Sequence, residues 1–279
     1  MVFQDLQQSI LWFDAYLFLN RLIATNCLPL FHFQTGFEKL NGESIRIEVF
    51  RWDPTCANER PHFEKYEIPL SPHLTVLGAL QYIHQHIDGT LVFNYSCEKQ
   101  RCGSCALKID EKISLGCSTP AHDGQRISPL PGFKVERDLV VDWEPYEQKM
   151  LELLPMRSEE PTRGAYKKEE KLAESASTCI RCFSCVGVCP TVDIKSILGF
   201  LGPAISVMLA EQLDQEARSR SLLPSILEAN LEYCTRCYAC HAVCPANINI
   251  VGCIQELQRI SGSSDPVAKR QNEMTLGYF

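Results

Sequence analysis

Between Cys179 and Pro245 the chain carries one cysteine spacing twice: Cys179-x2-Cys182-x2-Cys185-x3-Cys189-Pro190 and Cys234-x2-Cys237-x2-Cys240-x3-Cys244-Pro245. This C-x2-C-x2-C-x3-C-P run is an iron–sulfur ligand signature, and its repetition constrains the fold more than any other feature. Three thiolates at two-residue intervals on a turning backbone grip three corners of a cubane. The fourth has by then rotated away and reaches the neighbouring cluster. The expected ligand sets are therefore Cys179, Cys182, Cys185 with Cys244, and Cys234, Cys237, Cys240 with Cys189, each for a [4Fe–4S] centre. Each proline removes an N–H and pre-sets φ for the segment that follows. Zinc usually needs only four cysteines in two pairs. A disulfide scaffold is disfavoured because no export leader is expected, the first basic residue being Arg21.

A second signal precedes the first. Cys97-x4-Cys102-x2-Cys105, with Cys117 eleven intervening residues later, has the plant-type [2Fe–2S] spacing. Three thiolates come from one loop and the fourth from a hairpin strand expected over Ile113 to Cys117. Gly103 should let the backbone turn closely, because a Cβ there would crowd the sulfides. Backbone N–H groups in such a loop can point at the sulfurs and raise the potential. Lys99 and Arg101 are either electrostatic helpers of the same kind or simply two solvated charges.

Fifteen cysteines in 279 residues is well above average usage, and they gather at ligand spacings, which reads as metal binding in a reducing compartment. Cys27, Cys56 and Cys253 fit no ligand spacing and read as ordinary free cysteines, with apolar packing expected for Cys253. A net charge of −7 without any basic run argues against nucleic-acid binding. The most apolar stretch, Ile10 to Phe33, is interrupted by Asp14, Asn20 and Arg21, so no membrane span is expected. Leu6, Ile10, Phe13 and Leu17 fall at helical spacing within an N-terminal extension over residues 1–43. That helix would pack on its own protein or dock onto a partner or a membrane face.

Ile45, Ile47 and Val49 alternate on a half-buried strand, and a turn leads to a second run, Phe63 to Leu70. Pro72 and Thr75 start a helix carrying Leu77, Leu80, Ile83 and Ile87, and Leu91 to Phe93 reads as a short buried strand. This pattern gives a first domain over residues 44–145. The charged stretch 154–178 reads as a connector, followed by helical text within a second domain, 146–279. There Pro203 starts a helix with the stripe Ile205, Met208, Leu209 and Leu213. A final helix carries Ile250, Ile254 and Leu257, and SGSSDP (261–266) marks a flexible tail. His84 and His86 lie two apart and do not share a helix face, so they read as helix residues rather than ligands. No set of catalytic side chains is found.

A plant-type [2Fe–2S] loop followed by a helical two-cluster segment resembles the iron–sulfur subunit of succinate dehydrogenase and fumarate reductase, the respiratory complex II family. The likeness covers roughly residues 44–262. It rests on both cysteine regions, CGSCAL at 102–107, DLVVDW at 138–143 and Gly202-Pro203-Ala204. The resemblance implies an α+β chain, with a β-grasp ferredoxin domain before an all-α two-cluster domain. It implies one [2Fe–2S] and two cubane-type clusters on the twelve cysteines named. It also implies an FAD-containing flavoprotein partner with the dicarboxylate site, and a membrane anchor or other redox subunit with a quinone near the Cys234 centre. The complex would lie on the inner face of the cytoplasmic membrane.

Two departures qualify it. Most members replace the second cysteine of the last string by an aliphatic residue and hold a [3Fe–4S] cluster; here Cys237 fills that corner, so a second [4Fe–4S] centre is expected, with [3Fe–4S] the outcome if Cys237 is not a ligand. Val192, Asp193, Ile194 and Thr235 stand where the succinate-oxidising branch has its tryptophan and histidine, so the quinone-site residues do not carry over. The complete last string is also similar to thiol-dependent fumarate reductases and heterodisulfide-reductase-type modules. A free ferredoxin-like carrier is the third reading.

Overall fold

The computed structural model describes residues 43–56, 60–153, 167–192, 199–213 and 222–262. The helix expected around Leu6 to Leu17, Cys27, and the tail beyond Gly262 lie outside the described residues.

Strand β1 (Ser44–Arg51) pairs antiparallel with β2 (His62–Pro69) in unbroken register. Ile45, Ile47 and Val49 all point inward, as a period of two requires. Thr75 caps α1 (Val76–His86) by accepting from the Gly78 N–H. Leu80 and Ile83 are fully buried, each worth about 1.5–3 kcal/mol of apolar burial. Ile87 does not join this stripe, because the helix ends before it; Ile87 is the C-cap and is 49% exposed. Strands β3 (Ala106–Ile109), β4 (Lys112–Leu115) and β5 (Arg126–Ser128) complete a sheet of order β2-β1-β5-β3-β4, with β5 parallel to β1. A mixed sheet holding one helix is the expected β-grasp arrangement.

Leu91 to Phe93 is not a strand. Leu91 is buried as expected, but separate side-chain contacts and the Leu139 N–H, which donates to the Val92 carbonyl (3.2 Å), stand in place of a strand ladder. Asp138 accepts from the Val92 N–H (3.0 Å), and the Leu91 carbonyl lies 3.0 Å from His84 Nδ1. Cys117 also falls outside its expected strand, because β4 stops at Leu115.

After the β6 (Lys134–Arg137) and β7 (Val140–Asp142) ribbon, the chain turns helical with α2 (Glu144–Leu153). The charged stretch read as a connector contains α3 (Lys167–Ser177). Its buried residues Ala173 and Ala176, three apart, let it sit close against the next long helix despite the surrounding charge. Short α4 (Ser184–Gly187) and α5 (Pro203–Glu211) follow, then α6 (Leu223–Glu228), a 3₁₀ turn (Leu231–Tyr233), α7 (Ala239–Ala242) and α8 (Ile250–Ser261). Pro203 does start α5, but residues 203–210 are buried on all sides rather than along a stripe. Such a helix is surrounded by protein. Ile250, Ile254 and Leu257 line the inner face of α8 as expected. Among the described residues no helix is long and apolar enough to cross a membrane.

Two cores result, and the β3–β4 hairpin belongs to both. Leu107 and Ile109 face the core under α1. Ala106, Ile113 and Leu115, on the opposite face, join a larger core with Phe183, Phe200, α5 and α8. The hairpin is therefore covered on both sides, and the cysteine loops of the two halves meet at its end.

Candidate metal centres

The first loop wraps around Cys97. The N–H groups of Lys99, Arg101 and Cys102 donate to its Sγ at 3.4, 3.2 and 3.3 Å, and these contacts hold the thiol down at about 7. Glu98 and Gln100 make this possible by adopting left-handed φ of 56° and 59°. Alternating left-handed residues turn successive N–H groups inward, an anion-binding nest. Lys99 and Arg101 thus act here through their main chains, while their side chains are exposed. Cys105 is 4% exposed and burial pushes its thiol up to about 12, with Cys117 and Cys102 close enough to add to the rise.

The two later strings share one backbone design. Left-handed residues flank the second cysteine in each: Arg181 and Phe183 (52° and 56°), Arg236 and Tyr238 (55° and 62°). For residues with a Cβ each such conformation costs about 1 kcal/mol. The Arg181 N–H donates to Cys179 and the Arg236 N–H to Cys234, matching the contacts around Cys97.

The strings also cross. Cys244 lies within electrostatic reach of Cys179, Cys182 and Cys185, and Cys189 within reach of Cys234 and Cys240. Cys189, Cys234, Cys237 and Cys240 line one small, partly open pocket with Thr235, Arg236 and Tyr238. Burial raises the thiols of Cys179, Cys182 and Cys234, raises Cys185 well above its usual value and pushes Cys240 to about 12. Crowded buried thiols of this kind ionise when a metal supplies the compensating charge. Among the described residues no three His, Cys, Asp or Glu side chains converge as tightly as one ion requires, a condition a multi-iron centre does not impose. Soft thiolate donors, inward N–H groups and a cavity lined by one string plus the fourth cysteine of the other all suit anionic iron–sulfur clusters.

Sequence reasoning missed several residues here. Ser104 Oγ lies 3.0 Å from Cys102 Sγ, Ser184 Oγ 3.4 Å from Cys182 Sγ and Thr191 Oγ1 3.4 Å from Cys189 Sγ. A hydroxyl two residues after a cysteine, three times over, was the available signal. The Ile248 N–H donates to Cys244 Sγ at 3.4 Å. Cys253 is buried in apolar surroundings as expected, but it also stands within reach of Cys179, Cys240 and Cys244, its thiol pushed up to about 12.

Residues 46–148 match the family model of a 2Fe-2S iron-sulfur cluster binding domain, and residues 175–248 that of a 4Fe-4S dicluster domain. Over 228 residues the chain is 32% identical to the fumarate reductase iron-sulfur subunit of Mycobacterium tuberculosis, a match covering 76% of this chain and 91% of that one. The chain belongs to the family of fumarate reductase and succinate dehydrogenase iron–sulfur subunits. Within this family it is also 34% identical over 216 residues to a subunit of the fumarate reductase (CoM/CoB) of Methanothermobacter marburgensis, covering 75% of this chain and 42% of that one. It spans about two fifths of the length of the archaeal relatives it matches. Among solved structures, a chain of the Mycobacterium smegmatis Sdh1 complex in the apo form shares the subunit's fold. The TM-score is 0.63 at 23% identity, over 79% of this chain and 98% of that one.

Proposed function

We propose that this chain is the electron-transfer subunit of a succinate dehydrogenase/fumarate reductase-type complex, linking an FAD-containing flavoprotein to a quinone or a second redox subunit. Cys97, Cys102, Cys105 and Cys117 would hold a [2Fe–2S] cluster. Cys179, Cys182, Cys185 and Cys244 would hold one [4Fe–4S] cluster, and Cys189, Cys234, Cys237 and Cys240 a second. When bound, such centres accept and release single electrons, so three in series make a wire. The chain's own residues stabilise the ligand thiolates through nest N–H groups, exclude water from Cys105 and Cys182, and fix the spacing. The domains would be residues 44–145 and 146–279, and the complex would sit on the inner face of the cytoplasmic membrane through its partners.

The pocket that Cys189 lines with Cys234, Cys237 and Cys240 carries this reading, and the nearness of Cys244 to Cys179, Cys182 and Cys185 supports it. Anaerobically purified complex is expected to contain about ten irons per chain, with equivalent acid-labile sulfide and a co-purifying flavoprotein. Zinc or disulfides in their place would overturn the proposal, and a bare monomer would favour the free carrier. A second reading, a thiol-linked terminal partner in place of quinone, is favoured by Cys237 together with the similarity to a fumarate reductase (CoM/CoB) subunit. Activity with a thiol donor and no response to quinone analogues would select it.

A further inference from the structure

Gly103 follows Cys102 in the first loop, has φ of +74° and is buried. A Cβ built on it would stand 2.6 Å from Cys182 Cβ, 2.7 Å from Cys182 Cα and 3.0 Å from Cys182 N. Besides the sulfides that a Cβ is expected to crowd, a protein neighbour therefore lies within contact of this position. The first loop rests directly on the main chain of a cysteine in the first cubane string. The seam is held on a second side, where a Cβ on Gly187 of α4 would meet Pro131 O at 2.9 Å, Leu130 Cδ1 at 3.0 Å and Ile113 Cδ1 at 3.2 Å. Both glycines let backbones of the two halves touch with no side chain between them.

We propose that the Gly103–Cys182 contact is the electron crossing between the [2Fe–2S] loop and the Cys179-string centre, with Gly103 as the positioning residue that sets the gap. The inference rests on the three-cluster reading above. The route runs from Cys102 Sγ along its main chain to Gly103 Cα, then takes one through-space step onto Cys182 and its Sγ. One centre loses an electron as the other gains it, and no proton or covalent bond changes. Covalent links and van der Waals contact carry electronic coupling better than open space, so any methyl wedged here lengthens the weakest step.

The test uses the whole complex. In Gly103→Ala, iron content and both EPR signals persist. The spin relaxation of the reduced [2Fe–2S] centre by its reduced neighbour weakens, and electron exchange between the two after photoreduction slows several-fold. Gly187→Ala opens the same seam from a helical position without the φ penalty; it gives a smaller slowing, and it decides the matter if Gly103→Ala fails to load its cluster. Gly124→Ala bears the same strain at φ +77° with no neighbour within 4 Å, and leaves exchange at the wild-type rate. Wild-type exchange and relaxation in a fully loaded Gly103→Ala, or in Gly187→Ala where that variant decides, overturn the proposal. Wild-type complex lacking the EPR signals overturns the cluster reading instead.

Discussion

The two cubane strings have the same backbone but different surroundings. In the first, Cys182 is 7% exposed and the following Phe183 is 2% exposed, packed among Phe133, Trp143 and Tyr146 at centroid distances of 5.9, 5.8 and 5.5 Å. In the second, the equivalent Cys237 is exposed and Tyr238 is 54% exposed. One motif therefore makes an interior joint at one place and a surface terminus at the other. Ligand spacing specifies the kind of centre a string can hold, and the residues between the ligands specify whether that string is enclosed or open. A first string wedged against the β-grasp half suits an internal relay, and a second string open to solvent only at its Cys237 corner suits a docking end.

The largest expected effect separates the two second cysteines. Cys237→Ala should cost the second centre about one iron and leave a [3Fe–4S] signal on its three remaining cysteines, as a surface corner tolerates loss of its ligand. Cys182→Ala should lose its whole centre, because a buried corner has no water to take the ligand's place. Iron analysis and EPR of the oxidised complexes distinguish these outcomes, and a stable three-iron centre in both would erase the contrast. Next in size is packing. Phe183→Ala should destabilise by about 3–5 kcal/mol, as for other buried aromatics, while Tyr238→Ala should stay within about 0.5 kcal/mol. Denaturant unfolding of the two variants, compared with wild type, measures both.

The sequence makes this design only partly legible. The two cluster-binding regions, the β1–β2 hairpin and α1 could be read directly, because spacing and periodicity are local. Phe183 and Tyr238 look alike in sequence, and only the aromatic cage donated by Phe133, Trp143 and Tyr146 tells them apart. Helix α3 escaped notice because its buried alanines lie inside a charged run. The Arg51 knot was invisible for a similar reason: Arg51 donates to Asp138 (3.1 Å), Tyr66 (2.6 Å) and Thr90 (2.8 Å), and pairs with Asp88, across separations that no window spans.

That knot supports the half on which the first string leans, so it offers a pH test. The bonds Asp88 receives from Thr90 and Arg51 outweigh its burial and hold its carboxyl well below the usual range. A depressed carboxylate contributes stability above its unfolded pKa of about 3.9, and that contribution is lost as pH falls toward the folded value. Asp88→Asn should therefore destabilise the β-grasp half by about 1–3 kcal/mol at neutral pH. Its deficit against wild type should shrink below about pH 4. A deficit unchanged from about pH 7 to about pH 3 would mean that Asp88 acts by shape rather than by charge.

The smallest effect tests the comparison at a single hydroxyl. Ser184 is 1% exposed with its Oγ 3.4 Å from Cys182 Sγ, and the matching position in the second string is Ala239. In the free thiol Cys182 Sγ donates to Ser184 Oγ. A ligand sulfur has no proton to give, so the hydroxyl would then donate to it, which stabilises the more negative, reduced state of a cluster and raises its potential. Ser184→Ala should therefore lower the potential of the first cubane and leave the second unchanged. Ala239→Ser should raise the second, but by less, because Cys237, the cysteine matching Cys182, is exposed to solvent. Redox-poised EPR of both variants gives the two shifts. Equal shifts would show that the two environments differ in shape alone, whereas the predicted inequality would show that burial sets how strongly each string tunes its cluster.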